Sequence, residues 1–256
     1  MNNSPIGIFD SGFGGLSVWR AVRQLLPDES IVYLGDGARC PYGTKSVEEV
    51  CRYAEQAVER LLERGCKLIV VACNTATVMT IGQLRARYPH LQFVGLEPAV
   101  KPAALSSRSG VIGVLATRNA LEGEMFRNTA SRYADKVKIL TAVGEGFVEI
   151  VERGEEHTAQ SVARVREVVE PLIQAGADRI VLGCTHYPFL RKQIEAVIAD
   201  RDVEVVCSSV PVARRVAELL DRYDLRAAES NVAQYDFITF ADDAYAARLR
   251  AKAMEE

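Results

Sequence analysis

The stretch VERLLERGCKLIVVACNTAT, residues 58–77, aligns without a gap to VEPLIQAGADRIVLGCTHYP, residues 169–188, and this internal match decides the fold. In each copy a helix-like segment ends at a glycine, Gly65 or Gly176, a β-branched run follows, and a cysteine arrives eight residues after the glycine. The openings of the two halves match as well, PIGIFDS at 5–11 against VIGVLAT at 111–117. The chain reads as two copies of one α/β unit.

Working outward, strand-like runs fall at 6–10, 31–36, 67–73, 92–98, 110–117, 136–142, 178–184 and 203–209, mostly separated by segments of helical period. That alternation predicts α/β architecture with mostly parallel sheets. The clearest helix spans 46–65: Ser46 and Glu49 form a capping box, Val47, Val50, Ala54, Val58, Leu61 and Leu62 line one face, and Gly65 stops it. Pro171 conflicts mildly with its helix and predicts a kink. GLEPAVKP at 95–102, with two prolines, is the expected crossing between the halves.

Composition narrows the function. The 256 residues are 48% hydrophobic and 25% charged, as in soluble globular proteins. A formal charge of −3 leaves no basic surplus for phosphate neutralisation, so a small molecule is a better partner than nucleic acid. The N-terminus lacks a basic leader before an apolar stretch, and no apolar run approaches bilayer-spanning length. A cytoplasmic protein without membrane partners is expected. The six cysteines (Cys40, Cys51, Cys66, Cys73, Cys184, Cys207) include no CxxC pair, and the three histidines are scattered, so neither a metal site nor a disulfide framework is expected.

The repeat lifts Cys73 and Cys184 above the ordinary reading of a cysteine as a small core residue. Both follow strands at what should be the carboxyl edge of a parallel sheet, where ligands bind. Helices predicted to begin near Thr77 and at Pro188 would favour thiolate over thiol. Asp10 closes the first strand and His186 lies two residues beyond Cys184, so each thiol has a candidate proton partner. Two matched acid/base groups suit racemisation, in which one face of a carbon loses a proton while the opposite face gains one. A thiol hydrolase needs only one cysteine. A binding module for amino acids needs no proton partners. The glycine-rich DSGFGG (10–15) fails as a dinucleotide loop, since Ser17 takes the third glycine's place and Asp10 would face a pyrophosphate.

These residues lie in segments that together resemble the glutamate racemases of the aspartate/glutamate racemase superfamily: FDSGFGGLSV (9–18), YLGDGARCPYGTKS (33–46), ACNTAT (72–77), GLEPAVKPA (95–103) and LGCTHYP (182–188). The resemblance covers nearly the whole chain. Related aspartate racemases typically carry glutamate where His186 stands. The resemblance implies two pseudo-symmetric α/β domains, 1–96 plus 207–256 and 97–206, with the active site in the cleft between them. It implies cofactor-independent conversion of L-glutamate to D-glutamate for peptidoglycan, with glutamate as the small-molecule partner. A homodimer is a candidate assembly.

By the same resemblance, Cys73 takes the proton from D-glutamate, assisted by Asp10, and Cys184 takes it from L-glutamate, assisted by His186 and Glu152. Ser11, Asn74, Thr75 and Thr185 hold the α-amino and α-carboxylate groups, Tyr42 and Gly43 receive the side-chain carboxylate, and Thr117 adds a contact. The competing readings are a turn for Tyr42, a solvated helix face for Glu152 and a helix cap for the polar cluster after Cys73. Ala120 and Cys207 depart from the family pattern, at a usual hydroxyl and a usual aspartate. Cys207 is read as packing, and Cys40, Cys51 and Cys66 as core or bystander residues.

Overall fold

A computed structural model describes residues 1–255, and in it every strand pair in both sheets is parallel. The chain divides into two units, Met1–Leu96 with Ser209–Glu256, and Glu97–Ser208. The first begins with β1 (Ile6–Asp10), α1 (Leu16–Leu25), β2 (Ile31–Gly35), α2 (Val47–Leu62), β3 (Leu68–Val71), α3 (Asn74–Arg87) and β4 (Gln92–Gly95). The second contains α4 (Val100–Ser106), β5 (Val111–Ala116), α5 (Arg118–Glu122), α6 (Glu124–Tyr133), β6 (Lys138–Val143), α7 (Phe147–Arg153), α8 (Ala159–Gln174), β7 (Arg179–Gly183), α9 (Arg191–Ile198) and β8 (Glu204–Cys207). The chain then completes the first unit with α10 (Ser209–Arg222), β9 (Tyr235–Thr239) and α11 (Asp243–Met254).

Strand order is β4-β3-β1-β2-β9 in one sheet and β6-β5-β7-β8 in the other. Equating β1 to β4 with β5 to β8 in turn makes the two four-stranded orders identical, with β9 added at one edge of the first. Register repeats too. Ile6 faces Leu68 and Phe9 faces Val71 in the first sheet, while Ile112 faces Arg179 and Leu115 faces Leu182 in the second. The same offsets that align the sequences carry one set of pairs onto the other. The internal repeat is therefore physical: identical side-chain alternation fixes identical pairing, because a slip of one residue would turn each strand's buried set to the opposite face.

The strands most deeply covered, β1, β2, β3 and β7, are buried along their whole length, as expected of parallel sheets clad by helices on both faces. In the second unit Ile112, Val114 and Val181 pack with Val100, Ala103, Phe126 and Val137. Ser208 Oγ donates to the Glu97 carbonyl at 2.6 Å, joining the points where the chain enters and leaves this unit.

The α2 capping box forms, and Gly65 turns the chain at a φ of 71°. Helix α8 runs unbroken through Pro171 to Gln174. Pro171 falls in the last turn, and Glu167, whose carbonyl loses its donor, lies on the exposed face where water can replace it. The strand β9 went unread because its five residues, YDFIT, hold one buried side chain, Phe237. Several strand runs are shorter than expected. In 67–73 the strand ends at Val71 because Cys73 already caps a helix. No helix among the described residues is long and apolar enough to cross a membrane.

Candidate active site

Cys73 leaves the end of β3 as the N-cap residue of α3, and its Sγ accepts a hydrogen bond from Ala76 N–H at 3.4 Å. The helix thus begins at Asn74, three residues earlier than Thr77, and the thiol sits directly at its positive end. Thr77 serves packing instead: its hydroxyl donates to the Val71 carbonyl at 2.9 Å and accepts from Leu96 N–H at 3.0 Å. Asn74 and Thr75, in the first turn of α3, are buried. Asn74 Nδ2 has no hydrogen-bond partner within the protein, leaving a donor in this polar cluster unused.

Asp10, fully buried, ends β1 on the strand next to β3. Its Oδ1 accepts from Gly12 N–H at 2.9 Å, while the Gly12 carbonyl accepts from the Tyr33 hydroxyl at 2.6 Å. Gly12 therefore spends both backbone groups inside the protein, which argues further against a phosphate-cradling loop. Gly15 must be glycine, since a Cβ there would lie 2.5 Å from Asp10 Cβ. Ser11 is buried beside Asp10.

Tyr42 and Gly43 lie in a 3₁₀ turn, Tyr42–Thr44, packed against α3. The Tyr42 side chain is fully buried, and its hydroxyl donates to Asp36 Oδ2 at 2.5 Å. Burial first, then the neighbouring Asp36 carboxylate, pushes the Tyr42 phenol far above the usual tyrosine range. Tyr42 is thus more than an exposed turn residue, but its hydroxyl is committed to Asp36.

In the second unit Cys184 follows β7, and its Sγ lies 3.9 Å from His186 Nδ1. The other ring nitrogen, Nε2, is 2.7 Å from Glu152 Oε1 on α7. Glu152 is half-buried and faces the histidine, so the solvated-face reading fails. Helix α7 is bounded by Gly146 and Gly154, both left-handed, at φ 83° and 73°. Thr185 is buried beside the thiol. Thr117 caps α5, accepting from Ala120 N–H at 3.3 Å. The helix expected at Pro188 is instead a 3₁₀ turn, Tyr187–Leu190, and α9 starts only at Arg191, so the helix dipole lies farther from Cys184 than predicted.

The shared register pairs the two sites position by position. Ser11 corresponds to Thr117, Asn74 to Thr185, Thr75 to His186 and Asp10 to Ala116. A hydroxyl repeats at Ser11 and Thr117, whereas the other three pairs differ in chemistry. Where the first unit has a carboxylate at its strand end, the second has a methyl group and draws on an imidazole backed by Glu152.

The sequence reading did not assign Asp36 or Tyr187 to the site. Asp36 ends the apolar run IVYLGD, a signal that could have found it. Tyr187 is fully buried, with its hydroxyl donating to the Gly144 carbonyl at 3.3 Å. Burial, then the nearby Cys184, pushes its phenol far upward. Cys66 is a buried bystander whose thiol burial pushes up to about 12. Cys51 Sγ is 3.7 Å from the Met79 carbonyl, and burial raises its thiol as well. Cys207 is half-buried at the end of β8, and Ala120 is fully buried.

Two parallel α/β units, each with a buried cysteine just beyond the equivalent strand at its sheet's carboxyl edge, define the class of α/β protein to which this chain belongs. Residues 15–217 match the Asp/Glu/Hydantoin racemase family, and the chain belongs to it. It is 44% identical over 250 residues to a glutamate racemase of Herpetosiphon aurantiacus, covering 98% of both chains. Among solved structures, a glutamate racemase isoform from Bacillus anthracis superposes with a TM-score of 0.86 at 30% identity, covering 98% of this chain and 94% of that one. The Escherichia coli glutamate racemase, solved with L-glutamate and the activator UDP-MurNAc-ala, gives 0.83 at 32% identity, covering 97% and 95%.

Proposed function

We propose that the protein interconverts L- and D-glutamate by a two-base mechanism, with the substrate held in the cleft between the units and Cys73 and Cys184 on opposite sides of its α-carbon. The observation that carries this reading is the repeated register, which gives each unit one thiol at the equivalent position beyond its sheet. A single-nucleophile hydrolase leaves that repetition unexplained, and a binding module leaves the Glu152–His186 pair without a task.

In this reading Cys184 removes the proton from L-glutamate. With Nε2–H donated to Glu152, His186 Nδ1 is left as an acceptor facing the thiol. It takes the thiol proton, and the Glu152 carboxylate stabilises the imidazolium that results. Cys73, as a thiol, delivers a proton to the opposite face, and Asp10 handles that site's proton on the return. Carbanion charge delocalises onto the α-carboxylate, where N–H and hydroxyl donors from Ser11, Asn74, Thr75, Thr117 and Thr185 stabilise it in a site closed to water. The backbone of Tyr42 and Gly43 receives the side-chain carboxylate. The product suits peptidoglycan assembly in the cytoplasm.

Incubation with L-glutamate in D₂O tests the proposal. The expected result is D-glutamate on chiral chromatography, with deuterium at the α-position and no added cofactor, and far slower exchange of L-aspartate. Folded protein that exchanges neither amino acid refutes it.

A further inference from the structure

Asp36 is fully buried just after β2, and one of its carboxylate oxygens gathers the loop that follows. Its Oδ2 accepts from the Tyr42 hydroxyl at 2.5 Å and lies 2.6 Å from Arg39 Nε. Arg39 is held in turn. Its guanidinium lies 4.3 Å from the ring centroid of Tyr53 and 4.4 Å from that of Phe240, and Nη1 donates to Gln56 Oε1 at 2.6 Å. Asp36 N–H donates to the Asp10 carbonyl at 2.9 Å, fixing the start of the loop to the end of β1. One side chain thereby ties residues 36, 39 and 42 to a single point at the sheet's carboxyl edge.

The arrangement has a cost that fold alone does not require. Asp36 Oδ1 is buried without a hydrogen-bond partner, and burial raises the Asp36 carboxyl above its ordinary range despite Tyr42 and Arg39. A surface loop of this length could be closed by ordinary turn chemistry. Unsatisfied buried groups of this kind concentrate where geometry serves function.

From this we infer that Asp36 is a positioning residue that sets substrate length: through Tyr42 it fixes the Tyr42–Gly43 backbone at the distance suited to a five-carbon diacid. The inference rests on the proposed role of that backbone in receiving the side-chain carboxylate. Tyr42 acts through its ring and hydroxyl as the strut, since its hydroxyl is committed to Asp36 and its ring packs against Phe9 and Tyr53 at 6.1 and 5.8 Å. Loosening the strut weakens binding of the distal carboxylate in ground and transition states alike, which raises KM rather than lowering kcat.

The test uses Tyr42→Phe, which keeps the ring, and Asp36→Asn, which keeps the shape, with L-glutamate, L-aspartate and L-2-aminoadipate as substrates followed by chiral chromatography. For each variant KM for glutamate should rise about tenfold while kcat changes less than about threefold. The preference for glutamate over the shorter and longer diacids, as a ratio of kcat/KM, should fall about tenfold. If Asp36→Asn fails to fold, Tyr42→Phe decides alone. A folded Tyr42→Phe protein with unchanged KM and preference overturns the inference, as does a loss confined to kcat. A wild-type protein inactive on glutamate removes the racemase reading itself, whereas an active wild type with unaffected variants removes only the positioning role.

Discussion

His186 places Nε2 2.7 Å from Glu152 Oε1, a contact made between α7 and the turn that follows Cys184. In the proposed mechanism the carboxylate orients the ring and opposes the charge that develops when the imidazole takes a proton. Glu152→Gln keeps a hydrogen-bond acceptor and removes the charge. It should slow proton removal from L-glutamate about 10- to 100-fold. Racemisation cannot assign this loss to one side, since the two enantiomers are equally stable and their kcat/KM values must stay equal. One-way elimination from a glutamate analogue bearing a leaving group can. The L-isomer should slow far more than the D-isomer, and equal slowing would remove Glu152 from the Cys184 side.

Replacing either thiol separates the two halves more sharply. Cys73→Ser and Cys184→Ser should each reduce racemisation by about 10³-fold or more, because a hydroxyl gives up its proton far less readily than a thiol. Elimination should persist on the side whose thiol remains: from the L-isomer in Cys73→Ser and from the D-isomer in Cys184→Ser. Reversed preferences would exchange the assignments.

Much of this was legible in the chain because the repeat is written in strand residues, whose period of two fixes register as well as burial. The gapless matches of 58–77 with 169–188 and of 5–11 with 111–117 together anticipate the equivalent pairings of Phe9 with Val71 and of Leu115 with Leu182. What could not be read depends on contacts between residues distant in sequence. The Glu152–His186 contact spans 34 residues, and nothing in FVEIVERGE says which way Glu152 points. Tyr42 shows the same limit, since nothing in PYG says that its side chain turns inward to Asp36 while Gly43 beside it stays half-buried. The helix after Cys73 begins early because a sulfur took the cap, a position ordinarily held by serine, threonine, asparagine or aspartate.

At the opposite, amino-terminal edge of the first sheet, Lys67 Nζ lies 2.6 Å from Glu29 Oε2, with both side chains almost wholly buried. Lys67 also donates to the Asn2 carbonyl at 2.5 Å, and Glu29 Oε1 accepts from Ala227 N–H at 2.9 Å. The pair therefore ties the first residues of the chain to the segment before β9. Lys67→Met should cost about 3–5 kcal/mol, because it leaves the Glu29 carboxylate buried and uncompensated. The double replacement Glu29→Leu with Lys67→Met should recover most of that loss. Urea unfolding of the single and double variants checks both, and a single variant as stable as the wild type would contradict the pairing.

Cys66 gives a prediction in pH. Its thiol is buried under β1, where a Cβ on Gly7 would lie 3.1 Å from the sulfur, and burial pushes it up from 9.0 to about 12. The folded state therefore holds this proton more tightly than the unfolded chain. The resulting stability is fully present below about pH 9 and is lost as pH rises toward 12, by about 1.4 kcal/mol per pH unit within that window. Cys66→Ala lacks the group. Its stability should start lower by about 1 kcal/mol, from the small cavity it leaves, and then fall less steeply than the wild type above pH 9. Lysines and tyrosines titrate in both proteins, so the informative quantity is the difference between them, measured by urea unfolding at pH 8.5, 9.5 and 10.5. That difference should shrink and then change sign as pH rises. A constant gap would mean that the Cys66 thiol ionises as easily in the fold as outside it.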